Sequence, residues 1–197
     1  MSTMNTQARY GAVAMTLHWL IAALIATNLL LGFYFANVIN SHDPGFFAII
    51  QLHKSIGLTV LVLSVLRLGW RLVNPVPPLP DDFGTGLRIV ARGTHYLFYL
   101  LIIAVPLMGW AMVSSSPLGT PTLYFGLFSW PHIPFLAELP RAMKRGYTET
   151  FGELHALLAY SAAVLLVLHV AAALWHNFSR HDEVLKRMIP GTRVGPA

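Results

Sequence analysis

The chain has 197 residues, 55% of them hydrophobic and 11% charged, with a mean hydropathy of +0.60. Soluble domains carry about 25% charged residues, so this composition belongs to a membrane protein, and one helical bundle accounts for the whole length. The net charge of +5 comes from basic residues that flank apolar segments, which argues for membrane orientation and against nucleic acid, and the absence of cysteine excludes disulfides, iron–sulfur clusters, zinc ribbons and C-x-x-C-H haem attachment.

The first predicted span runs from Ala12 to Ala36, in an uncharged interval between Arg9 and Asp43. It is too long for a signal peptide and no small-residue cleavage site follows it, so it is expected to stay in the protein. The second runs from Ala48 to Leu72, with Lys54 and Arg67 each near an end. Asn74 to Pro80 (NPVPPLP) should be extended and stiff, with few backbone donors. The third span runs from Arg92 to Val113, and Pro106 inside it should kink the helix and free carbonyls for its neighbours. From Ser114 to Glu153 lies the longest connection, with five prolines, the aromatics Tyr124, Phe125, Phe128, Trp130 and Phe135, and then the basic run RAMKR. Aromatics of this kind favour the headgroup level, so part of the connection should rest on the outer surface, and a loop of this length is more often functional than idle. The fourth span runs from Leu154 to Phe178.

Each span exceeds the ~20 residues needed to cross a bilayer. The expected fold is therefore all-α, a transmembrane four-helix bundle that forms a single domain over residues 1–197. Lys and Arg set its orientation. Arg9, Arg67, Arg71, Arg88, Arg92, Arg180, Lys186, Arg187 and Arg193 fall on one side, against Lys54, Arg141, Lys144 and Arg145 on the other. The positive-inside rule then places both termini in the cytoplasm.

Four histidines inside the spans, His18, His53, His155 and His169, carry the chemical signal, because an imidazole in hydrocarbon is costly unless something binds it. The fourteen residues from His155 to His169 turn a helix through about 1400° and raise it by ~21 Å, so both rings project from one face near opposite surfaces. Antiparallel geometry places His18 about 9 Å and His169 about 13 Å from the cytoplasmic ends of their spans, with His53 and His155 close to the outer ends. Depth thus pairs His18 with His169 and His53 with His155, the arrangement of two stacked bis-histidine b-type haem sites. Small residues follow each histidine four positions on (Ala22, Gly57, Ala159, Ala173), whereas His95 has Tyr99 there. His176, on the face of His169, is the rival ligand at the membrane boundary. A transporter would be expected to carry carboxylates within its spans, and here every Asp and Glu falls in a loop or at a helix end. Zinc is disfavoured because its ligands converge on one coordination sphere.

These residues resemble the bacterial cytochrome b561 family. The resemblance runs from Leu17-His18-Trp19-Leu20, through Leu52 to Gly57 (LHKSIG) with Arg67 and Arg71, and His95 to Gly109, to His155, His169 and the tail from Asp182 to Pro190. It implies a di-haem four-helix protein of the inner membrane, with the same pairing of ligands. It also implies electron transfer from an outer donor, superoxide in the best characterised type, through both haems to ubiquinone. The protein is then either an oxidoreductase of the superoxide:quinone kind or a pure electron carrier, the haem-bearing membrane anchor of a periplasmic redox enzyme. Arg67 and Arg71 are candidates for pairing with haem propionates or for snorkelling anchors. Arg9 and His95 are candidates for a quinone pocket, His95 equally for a hydrogen bond within the bundle. Lys54, Arg141, Lys144 and Arg145 would steer a small anion, or else form a basic turn at the lipid headgroups.

Overall fold

The computed structural model describes residues 2–79 and 83–192. Pro80 of the proline-rich connection and Arg193 of the basic tail lie outside the described residues. In chain order the elements are α1 (Ala12–Asn37), α2 (Phe46–Val73), α3 (Thr85–Ser115), β1 (Thr122–Tyr124), β2 (Phe128–Trp130), α4 (Pro134–Ala137) and α5 (Arg141–Phe178), followed by a short 3-10 turn at Lys186–Met188. Helices α1, α2, α3 and α5 are each long and apolar enough to cross a membrane. Their outward faces carry exposed Leu30, Leu66, Leu100 and Val167, the distribution of a bundle whose solvent is lipid.

Two helices begin earlier than hydropathy suggested. The third starts at Thr85 rather than Arg92, and α5 starts at Arg141 rather than Leu154. Hydropathy marks where lipid begins, whereas a helix begins where its backbone bonds do; Pro140, at the N-cap, sets the start of α5. Arg141, Lys144 and Arg145 therefore stand on the first turns of α5 and not in a loop. Glu149 and Glu153 likewise lie inside that helix, not at its end. Pro106 sits within α3, which continues past it.

An all-α expectation also missed a two-stranded antiparallel hairpin, β1 with β2, in the register Tyr124↔Phe128. Its turn places both Phe125 (φ 48°) and Gly126 (φ 73°) at positive φ, as a type I′ turn demands. A polar stripe on α2 holds the hairpin. Gln51 Nε2 donates to Pro121 O (2.9 Å), Leu123 N donates to Gln51 Oε1 (3.0 Å), Phe125 N donates to Ser55 Oγ (2.9 Å), and Thr59 Oγ1 meets the Tyr124 hydroxyl at 2.9 Å. The aromatic segment thus packs on α2. The sequence signal was Gln51, Ser55 and Thr59 at successive four-residue steps on an otherwise apolar helix.

Close packing runs from α1 to α2, from α2 to α3 and from α3 to α5; neither α1 nor α2 packs its backbone closely on α5. The second helix is central, burying seven residues, while α5 buries only His176. Both chain ends meet at one end of the bundle. Tyr10 N donates to Arg187 O (3.4 Å), Trp19 Nε1 to Met188 O (2.8 Å), and Arg187 Nη1 to Pro78 O (2.7 Å). Carbonyls of the donor-poor proline segment also serve the amino terminus, where Asn5 Nδ2 donates to Pro75 O (2.9 Å).

Candidate functional site

At the hairpin end, His53 on α2 faces His155 on α5, with ring centroids 6.1 Å apart and planes at 81°. His53 Nδ1 lies 3.2 Å from Asn28 O of α1, and His155 Nδ1 lies 2.9 Å from Val105 O of α3. Each Nδ1–H donates to a backbone carbonyl, which leaves Nε2 to point elsewhere. The ring edge of Phe35 packs on His53 at 5.1 Å. Depth estimated from hydropathy had put His155 near the start of its helix. It lies fourteen residues into α5, because the helix extends beyond the apolar stretch.

At the end where the termini meet, His18 on α1 faces His169 on α5 at 6.4 Å and 75°. A third imidazole joins them: His95 on α3 lies 6.3 Å from His169 and approaches Ala91 O of its own helix at 2.6 Å. Phe98 packs edge-on against His169 at 5.1 Å. Arg67 Nε donates to the Tyr99 hydroxyl (3.3 Å), and the Arg71 guanidinium lies 5.3 Å over the Tyr99 ring. Both arginines therefore converge on one α3 tyrosine. Tyr10, which the sequence did not single out, joins this group: burial raises its phenol pKa, and the positive charges of Arg71 and Arg67 oppose that rise.

Arg9 is occupied by the tail. Its guanidinium donates to Thr192 O (3.0 Å) and Ile189 O (3.3 Å). His176 is buried with partners other than the two pairs, its Nδ1 on Asp182 Oδ2 and its ring stacked on Phe83 at 5.2 Å.

The basic residues Lys54, Arg141, Lys144 and Arg145 divide. Arg145 is bound to Glu149 at 2.9 Å, and Arg141 is exposed. Lys54 Nζ donates to Pro121 O (3.1 Å). Burial and the charges of Lys54 and Lys144 hold the His132 imidazole below its ordinary pKa. Lys54, Lys144 and the unanticipated His132 thus share one neighbourhood.

Do these residues fit a metal held between two imidazoles? Ligand bonds of about 2 Å from each ring nitrogen place the two ring centres roughly 6 Å apart, which both pairs match. Neither pair is joined by a hydrogen bond among the described residues, and the helices bearing each pair do not pack closely on one another, which suits a flat macrocycle. The Nδ1–carbonyl bonds of His53 and His155 are the outer partners that orient metal-bound imidazoles. Among the described residues no three His, Cys, Asp or Glu side chains gather in a metal-binding group, so a cage of protein ligands alone does not fit. Non-covalent haem with two axial histidines does.

The prokaryotic cytochrome b561 family matches residues 9–191. Cytochrome b561 homolog 2 of Escherichia coli (strain K12) is 35% identical over 190 residues, covering 96% of this chain and 95% of the relative. The probable superoxide oxidase CybB of Yersinia pestis is 30% identical over 194 residues, covering 94% and 98%. Cytochrome b562 of Cereibacter sphaeroides is 29% identical over 196 residues, covering 94% and 98%.

Proposed function

This chain belongs to the prokaryotic cytochrome b561 family, a multi-pass bacterial membrane protein, and from that premise we propose that it carries electrons across the inner membrane through two b-type haems. His53 and His155 would hold one, and His18 and His169 the other. The observation that carries the reading is the pair of ring spacings, 6.1 and 6.4 Å, on helices that do not otherwise touch closely. Bound haem supplies a centre that takes up and releases single electrons. Held by two histidines, such a haem would keep no open position for oxygen, so the protein's part would be to conduct.

We place both termini in the cytoplasm, following the distribution of Lys and Arg. Electrons then enter at the hairpin end and leave at the terminal end. The proposed donor is superoxide, which loses one electron and departs as dioxygen. Lys54, Lys144 and His132 would draw the anion in, and the name of the Yersinia pestis relative supports the choice. The proposed acceptor is ubiquinone, which takes two electrons and two protons for every two superoxide anions. His95 would line its pocket, with Arg9 holding the carboxy-terminal tail across that end. Arg67 and Arg71, steadied on Tyr99, would meet haem propionates.

A reduced-minus-oxidised spectrum with haem quantified per chain tests the reading. About two b haems are expected, with loss on His53→Leu or His169→Leu. A haem-free protein would refute it. Haem-loaded protein inert towards superoxide, but reduced by a co-purifying redox subunit, would replace the oxidase with the anchor.

A further inference from the structure

Two histidines on different helices meet the backbone in the same way. His53 reaches the carbonyl of Asn28, and His155 the carbonyl of Val105. Four residues beyond each acceptor stands a glycine, Gly32 on α1 and Gly109 on α3. A Cβ on Gly32 would lie 3.2 Å from His53 Cε1, and one on Gly109 would lie 3.0 Å from Cε1 and 3.1 Å from Nδ1 of His155. In a helix, the residue four positions on lies beside that carbonyl, and its side chain leans back over it. Glycine there opens a notch, and the carbonyl's second lone pair accepts the imidazole.

The other pair is built differently. Among the described residues neither His18 nor His169 has a hydrogen bond; their ring neighbours are Trp19, His95 and Phe98. Arg67 is held on Tyr99, one turn along α3 from His95, whose ring lies 6.3 Å from that of His169.

We propose that the Gly32 and Gly109 notches are positioning devices that hold the His53–His155 haem at a lower reduction potential than the His18–His169 haem. This rests on the reading of the four histidines as haem ligands. An Nδ1–H donated to a carbonyl makes imidazole a more basic ligand, which favours oxidised iron. A guanidinium near the second pair favours the reduced form there. Both effects slope the same way, so an electron runs downhill from the hairpin end to the terminal end.

The test is a potentiometric titration of the purified, haem-loaded protein, joined to pulsed EPR of the oxidised form. The quadrupole coupling of the remote imidazole nitrogen reports its hydrogen bond directly. Two low-spin centres are expected, and the one with hydrogen-bonded remote nitrogens should have the lower midpoint. Gly109→Ala should raise that midpoint and weaken its nitrogen hydrogen bond while leaving the other centre in place. Gly69→Ala, with open space around its Cβ position, should move neither. A hydrogen-bonded centre with the higher midpoint would overturn the proposal. So would a haem-loaded Gly109→Ala with both midpoints unchanged. If that variant does not assemble, the wild-type correlation between nitrogen coupling and midpoint decides alone. Wild-type protein purified without haem would instead overturn the ligand reading beneath it, a result distinct from loaded centres that ignore the notches.

Discussion

His176 Nδ1 donates to the Asp182 carboxylate just beyond the end of α5, and both side chains are nearly buried, at 10% and 12% exposure. Asp182 Oδ1 also accepts from Val184 N, and Arg180 approaches the same carboxylate at 3.7 Å. One carboxylate thus fastens the tail to the last helix. The tail in turn holds Trp19 and Arg9. Asp182→Ala should cost about 1–3 kcal/mol, because the imidazole keeps a buried donor without its acceptor. Unfolding in detergent checks this. His176→Gln should keep its full haem content, since that ring faces Phe83 and the tail.

His169 has two imidazole neighbours at nearly equal spacing, His18 at 6.4 Å and His95 at 6.3 Å. With His18 as the ligand, His18→Leu should lose about half the haem, with one of two axial pairs broken. His95→Gln should retain haem and slow quinone reduction. A pyridine haemochrome assay on both variants decides, and the reverse pattern would transfer ligation to His95.

The basic group of Lys54, Lys144 and His132 should respond to pH through His132. Its folded-state pKa lies below the ordinary value, so it is neutral at pH 7 and gains charge only on acidification. Between the ordinary value near 6.5 and the lower folded value, the unfolded chain binds more protons than the native one. Stability from this group is therefore present above about 6.5 and declines as pH falls through that window. Once charged, His132 adds to Lys54 and Lys144, so association with an anionic donor should quicken in acid and slow with added salt. Stopped-flow rates measure this, and His132→Gln should flatten the acid rise.

Ser55 is fully buried and holds the hairpin by accepting from Phe125 N at 2.9 Å, while its one hydroxyl hydrogen is shared between Gln51 O at 2.8 Å and Leu123 O at 3.2 Å. Ser55→Val should cost about 1–3 kcal/mol through unpaired buried backbone groups. Limited proteolysis should then open the turn at Phe125 and Gly126. A turn as resistant as wild type would mean that Gln51 and Thr59 hold the hairpin alone.

Much of this was legible in one dimension. The number of spanning helices follows from uninterrupted apolar length, and the shared face of His155 and His169 follows from helical arithmetic. The hairpin was hidden because aromatic residues near a membrane surface satisfy an interfacial reading equally well, and three-residue strands carry almost no alternation. The starts of α3 and α5 were hidden because polar first turns leave the lipid without leaving the helix. The spacing of small residues along each histidine's own helix says nothing about neighbours on other helices. A Cβ on Gly57 would lie 3.5 Å from Asn28 Nδ2, while the glycines where a Cβ would meet an imidazole, Gly32 and Gly109, lie on neighbouring helices.

The sequence by itself determined four apolar helices, an imidazole at each of two levels along α5, and a partner helix carrying another at each level, because hydropathy and helical pitch are local properties of the chain. Tertiary structure alone decided which carbonyl each Nδ1 reaches, that His95 stands as close to His169 as His18 does, and that the hairpin rests on Gln51, Ser55 and Thr59. Those relations join residues 25 to 151 positions apart, and no local pattern encodes the rotation of one helix against another. That rotation is set by packing, and here Gly32 and Gly109 leave room for imidazoles of neighbouring helices.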